Sequence, residues 1–346
     1  MIYKKHIVLD LRFLNKSNFY SNFILDLSLK LIQDNKDYFF YVVTNSNFQS
    51  FFKLENTKVL LEERSFFDFK FKKLIKKIKK DFVIFFEPKT PFLFKEKYVL
   101  FIKTLENIYF HNTKKNIEYF NFYTAIKKAN FLVVFDENTK NELNDKFNVN
   151  EEKIHLLHPA FKKYDLQDEE NLIDLKIKYN IKWEFFIYNA WMWNAKNLDK
   201  LIDLFSKVDY SLLILDNDTI KDVNFRKQVI ERKLIDKVFF IWDVNIQEKD
   251  FFYKNAIWYV YTAIYSSFPF CFNDALNYKQ NIIASNLPTI KNIFGDKIIY
   301  FNPNNSDELL EKVVKLKKKE NNYSEIFNKY NIEKSIIDLQ NIIKIL

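Results

Sequence analysis

The chain has 346 residues, 48% hydrophobic and 29% charged, with a net charge of +9. That length accommodates two domains with separate cores, and the balance of apolar and charged residues excludes a disordered chain. One cysteine, Cys271, excludes an intrachain disulfide, and one glycine, Gly295, argues against the glycine-rich loops of kinases, GTPases and dehydrogenases.

Fifty lysines stand against four arginines, alongside abundant Asn, Ile, Phe and Tyr. All are encoded by A/T-rich codons or displaced by them, so the positive charge reads first as codon bias. Nucleic-acid readers favour Arg forks and recognisable modules, which are lacking here.

In chain order, HIVLD (6–10) is an apolar run broken at Asp10 and Arg12, a buried strand rather than a secretion signal. The polar loop Asn15-Lys16-Ser17-Asn18 follows, then a helical pattern over 21–33. Further strands are expected at YFFYVVT (38–44), DFVIFFE (81–87), YVLFIKT (98–104) and FLVVFD (131–136). Short apolar runs alternating with helical periodicity are the pattern of βαβ units and a parallel sheet. Residues 66–80, FFDFKFKKLIKKIKK, place Phe67, Phe71, Leu74 and Ile78 on one helical face with lysines around the rest. Such a helix either packs on its sheet or rests on anionic lipid. Glu106 begins the next helical stretch.

Beyond His158-Pro159 a charged, irregular segment reads as a linker. The alternation then restarts with strands at 185–190, 211–216, 238–243, 256–262, 281–285 and 298–302, before a last amphipathic helical segment. Domains are therefore expected over 1–165 and 166–325, with 326–346 helical. No uncharged apolar stretch approaches the roughly 18 residues of a membrane helix, so a cytoplasmic location is expected. The scattered histidines lack metal-ligand spacing, and no Gly-flanked serine elbow is present.

Four stretches, in order, resemble the retaining family-four glycosyltransferases of the GT-B type. They are HIVLDLRFLNKSNFYSNFILDLSLKL, ANFLVVFDENTKNELNDKFNVNEEKIHLLHPAF (129–161), FFIYNAWMWNAKNLDKLIDLF, and the run from VFFIWDVNIQEKD to IIYFNP. The resemblance implies an α/β fold of two Rossmann-like doubly wound parallel-sheet domains facing a cleft, with a C-terminal helix crossing back to the first domain. It implies transfer of a sugar from a nucleotide-diphosphate sugar to a glycan or lipid-linked acceptor with retention, without cofactor or metal, and peripheral contact at the inner membrane face.

Residue by residue, the resemblance puts Asn15, Lys16 and Ser17 in the acceptor-side loop and Lys196, beside Asn197, on the donor diphosphate. A cation at a helix start adds to the backbone donors there; the ordinary alternative is a solvated lysine. Asp274 matches an acid that holds the ribose, or is simply a first-turn acid. Asp243 and Phe268 fall in the base-binding turn and the donor-sugar loop. Glu106 stands where the family often has His-Asp, with Leu105 in place of the His, and is otherwise a helix-start acid. Ser266 occupies the position of a glutamate beside the reacting sugar, and Trp191 that of a phosphate-binding Arg. These departures leave a second possibility, a catalytically inactive GT-B-fold binding or partner subunit.

Overall fold

The computed structural model describes residues 3–346 except 17, 66–67, 111–116, 167–174, 183, 190–195, 217–222, 243 and 318–320, with the backbone alone at 107, 110, 216, 223, 224 and 242. The chain divides into two compact units, Met1–Phe161 with Tyr330–Leu346, and Lys162–Lys329.

In the first unit seven parallel strands are ordered β3-β2-β1-β4-β5-β6-β7. They are β1 (Lys5–Leu11), β2 (Tyr38–Thr44), β3 (Thr57–Leu61), β4 (Phe82–Phe85), β5 (Tyr98–Ile102), β6 (Phe131–Val134) and β7 (Ile154–Leu156). β4 and β5 are buried at every residue, as strands covered on both faces must be, which is why they read as unbroken apolar runs. β3 was not anticipated. Its sequence TKVLL is half-exposed at the sheet edge, and an edge strand needs no continuous apolar run.

The helices of this unit are α1 (Phe19–Asp34), α2 (Phe69–Lys76), α3 (Glu106–Phe110), α4 (Ile117–Lys128) and α5 (Glu137–Phe147). Asn18 caps α1 by accepting from the Tyr20 and Ser21 amides at 2.9 and 3.2 Å. The helix buries Phe23, Ile24, Leu27 and Leu31, the helical spacing of a core face. α2 is shorter than the amphipathic run that encodes it, and seats Phe71 and Ile75 in the core. The helix Ile332–Ile345 packs on α1, burying Ile336, Leu339, Ile342 and Ile343. Lys5 Nζ donates to the Ile343 carbonyl at 2.6 Å, and the Phe161 amide to the Tyr330 carbonyl at 3.0 Å.

The second unit is a six-stranded parallel sheet ordered β10-β9-β8-β11-β12-β13. Its strands are β8 (Phe185–Tyr188), β9 (Ser211–Asp216), β10 (Val238–Trp242), β11 (Trp258–Tyr261), β12 (Ile282–Ser285) and β13 (Ile299–Phe301). All six fall within the expected runs. The only glycine closes the helix Pro288–Phe294 at φ 53°, ψ −128°, a combination that side chains strongly disfavour. At Asn148, where α5 ends at φ 49°, ψ 45°, the ordinary left-handed region accepts an asparagine instead.

Candidate functional site

In an open parallel sheet, ligands bind outside the carboxyl ends of the strands where the strand order reverses. In the second unit that point lies between β8 and β11. The loop leaving β8 arrives at Lys196 and the loop leaving β11 begins at Thr262. Thr262 Oγ1 donates to the Lys196 carbonyl at 2.8 Å, tying the two loops together. Lys196 is buried, with Nζ 5.9 Å from the centre of the Tyr261 ring, a placement that favours a cation in a partly desolvated site.

Tyr261 links Lys196 to Ser266. The tyrosine hydroxyl donates to Ser266 Oγ at 3.1 Å, Ser266 Oγ donates to the Ser267 carbonyl at 2.9 Å, and Thr289 Oγ1 donates to the Ser266 carbonyl at 2.8 Å. Beneath them Phe272 packs edge-on to Tyr261, 4.9 Å between centres, and Phe268 meets Phe270 at 4.8 Å. This aromatic floor fixes the loop without glycine. Asn197 adopts φ 54°, and its side-chain amide donates to the Pro303 carbonyl at 2.9 Å. Lys196, Asn197, Ser266 and Phe268 thus belong to neighbouring loops at one end of the sheet.

Asp274 lies in the first turn of the helix Asn273–Asn277 and is fully buried. Its Oδ1 accepts from the Tyr164 hydroxyl at 2.9 Å and from Lys249 Nζ at 3.0 Å, whereas Oδ2 has no hydrogen-bond partner among the described residues. A buried, unsatisfied carboxylate oxygen calls for a donor. Burial first, and the adjoining Asp274 charge second, push the Tyr164 hydroxyl well up, so it stays a donor at every physiological pH. Asn273 and Asn277 accept from the Lys162 and Tyr164 amides at 2.7 Å each. The helix therefore also clamps the segment that enters this unit.

In the first unit the order reverses between β1 and β4, and a buried charge cluster occupies that place. Arg12 bonds Asp10 at 2.8 and 3.0 Å and Asp68 at 3.1 and 2.9 Å, with its guanidinium 3.9 Å from the Phe71 ring centre. Arg64 pairs with Glu87 and lies 3.6 Å from Asp10. Burial raises the Asp10 carboxyl, but the Arg64 charge and the Arg12 hydrogen bonds outweigh it and hold it below the ordinary carboxylate range. Glu106 is buried at the start of α3, its amide donating to Thr104 Oγ1 at 3.1 Å. Asn15 and Lys16 are exposed, and the Lys16 carbonyl accepts from Asn22 at 3.3 Å. Ser17, Asp243 and Trp191 lie outside the described residues.

Residues 175–334 match the family described as glycosyl transferases group 1. The match falls on the second unit and runs a few residues beyond it. Over 182 residues the chain is 25% identical to the O-antigen chain mannosyltransferase RfbU of Salmonella typhimurium, covering 52% of this chain and 48% of that one. The match thus spans about half the length of that relative. A glycosyltransferase from Rickettsia africae superposes with a TM-score of 0.68 at 15% identity, over 98% of each chain. Anabaena HepE, solved in complex with UDP-glucose, gives 0.75 at 10% identity over 99% of this chain and 100% of the other. Sucrose-phosphate synthase from Thermosynechococcus elongatus gives 0.73 at 11% identity, over 99% and 98%. At these identities the likeness establishes the GT-B fold.

Sequence reading of the second unit missed Tyr261, Thr262 and Thr289, which organise its loops, and Tyr164 and Lys249, which hold Asp274. Tyr261 and Thr262 carried one signal, a strand ending in polar groups just where the switch-point loop begins. Tyr164 is 110 residues from Asp274 along the chain, and nothing local announces that contact.

Proposed function

We propose that the protein transfers a sugar from a nucleoside-diphosphate sugar to a hydroxyl of a glycan or lipid-linked acceptor, with retention of configuration. The observation that carries this reading is the tie between Lys196 and the β11 loop at the switch point of a sheet whose residues match the group 1 glycosyltransferase family. Lys196 and the backbone donors of its loop meet the diphosphate. Asp274 Oδ2, without a hydrogen-bond partner among the described residues, accepts from a ribose hydroxyl. In the transfer, the bond from the sugar's anomeric carbon to the diphosphate oxygen breaks and the bond to the acceptor oxygen forms on the same face. The acceptor's proton passes to the departing diphosphate. Lys196 supplies positive charge where negative charge grows, an effect larger in a desolvated site than in water. No cofactor or metal takes part, so turnover is expected to persist in a chelator.

Titration calorimetry with UDP and GDP, and with their sugars, tests the donor site. Replacing Lys196 by Ala removes a charge-assisted contact and should weaken binding by about 1.5–3 kcal/mol. Unchanged affinity would remove Lys196 from the site. Glu106→Gln should leave donor affinity intact and lower turnover, because a group acting on the leaving or attacking atoms is felt in the transition state.

Ser266 Oγ, at a position where the resemblance implies a glutamate, is engaged with Tyr261 and the Ser267 carbonyl, and this position tests the alternative of an inactive binding subunit. If nucleotide sugars bind but are neither transferred nor hydrolysed, Ser266→Glu becomes the decisive variant, and gained hydrolysis marks a decayed enzyme.

A further inference from the structure

Tyr261 is the last residue of β11, at the carboxyl end of the second sheet, and is buried. Two other buried tyrosines, Tyr98 and Tyr323, give their hydroxyls to backbone carbonyls, of Ala125 and Gln280, at 2.7 Å each. Tyr261 donates instead to the hydroxyl of Ser266, in the loop that leaves its own strand. Ser266 Oγ donates onward to the Ser267 carbonyl, so a chain of two hydrogen bonds runs from the strand end into the loop. A buried hydroxyl must find a partner, but a loop side chain is an unusual one to fix.

The face of the same ring meets Lys196, whose Nζ lies 5.9 Å from its centre. Thr262, the next residue along the chain, holds the Lys196 carbonyl. Consecutive residues therefore hold one lysine twice, its backbone through a hydroxyl and its ammonium against a π face, an attraction that grows as water is excluded. The ring is wedged. Phe272 packs edge-on against it at 4.9 Å and is itself backed by Phe294 at 5.0 Å and Tyr259 at 5.3 Å. The backbone is fixed as well, because Tyr261 pairs in register with Ala284 on β12. Polar groups fixed before a ligand arrives need no reorganisation when it does.

We propose that Tyr261 is the positioning residue of the donor site and has two separable roles. Its ring sets Lys196 for the diphosphate, and its hydroxyl, through Ser266, sets the loop that meets the donor's sugar. The inference rests on the proposed function for the identity of the ligand. With serine where the resemblance implies a glutamate, placement of the sugar falls to the shape of the loop, which the bond between Tyr261 and Ser266 fixes.

Titration calorimetry of the full chain with pyrophosphate, UDP, GDP, UDP-glucose and GDP-mannose tests the proposal. Tyr261→Phe keeps the ring, so pyrophosphate and the nucleotide should bind within about twofold of native, while the nucleotide sugar weakens about fivefold for the lost hydrogen bond. Tyr261→Leu removes the π face and should weaken pyrophosphate itself about fivefold. Ser266→Ala should reproduce the Tyr261→Phe pattern, and the double variant should be no weaker than either single one, because both break the same bond. Tyr323→Phe loses a buried hydroxyl bond elsewhere in the second unit and should leave the preference for the nucleotide sugar unchanged. Near-ultraviolet circular dichroism checks each fold, and if Tyr261→Leu does not fold, the Phe and Ala variants still decide. Native-like nucleotide-sugar binding by Tyr261→Phe, additive losses in the double variant, or unchanged pyrophosphate binding by a folded Tyr261→Leu would each overturn the inference and leave the donor site standing. A native chain that binds none of these probes sinks the proposed function, and the role of Tyr261 with it.

Discussion

Asp10 and Arg12 interrupt the apolar run of the opening strand, and in sequence they mark only where it stops. The fold instead buries both, because Asp68 accepts hydrogen bonds from Arg12 and Arg64 brings a second positive charge to Asp10, each more than fifty residues away. Leaving either charge alone there is costly: Arg12→Ala should destabilise the first unit by about 3–5 kcal/mol in urea titration. Because the folded Asp10 carboxyl is held below its unfolded value of about 3.9, its contribution is present in full above about pH 4 and is lost as pH falls through the folded value. Asp10→Asn should therefore lower stability at neutral pH and lose that difference in acid. A gap that widened on acidification would contradict the cluster as described. That Lys196 and Ser266 fall on neighbouring loops of the second unit was legible, because loop order along the chain preserves it. The partners of Asp274 were not, because tertiary contact alone selects Tyr164 and Lys249.

Elements were legible where both faces are buried and illegible at the margins. The buried strands β4, β5, β11 and β12 announce themselves as apolar runs, whereas edge strand β3 mixes Thr, Lys and Leu. Residues 66–80 read as one amphipathic helix, yet α2 ends at Lys76, and Leu74 and Ile78 are only half-buried. Lys77 to Lys80 add like charge without adding an apolar face to hold further turns. Helix ends give two measurable expectations. Asn331 caps Ile332–Ile345 by accepting the Lys334 amide at 3.1 Å, so Asn331→Ala should cost about 0.5–2 kcal/mol. Gly295 has open space around its missing Cβ, yet its backbone lies at φ 53°, ψ −128°. Gly295→Ala should thus destabilise by about 1–3 kcal/mol through backbone strain alone, without any clash. A neutral substitution in urea titration would show that the loop relaxes.

For the whole molecule, alternation of strand and helix sufficed to foresee two parallel sheets, since each βαβ step leaves the same periodic trace wherever it occurs. The path between them is less visible: the first unit is made of two pieces, and its second piece is synthesised after the whole of the second unit. Nearly all of the second unit, Lys162–Lys329, is synthesised before Ile332–Ile345 can cover α1. The N-terminal sheet must then wait in the nascent state with the face of Leu27 and Leu31 open, inverting the usual order in which the first-made domain folds first. A chain ending at Lys329 imitates that moment. Its hydrogen exchange should show protected amides in β8, β11 and β12 and fast exchange along α1, and slow exchange in α1 would mean that the early half matures unaided. In cells, such a chain would lean on holdase chaperones for about as long as translation of its second half takes.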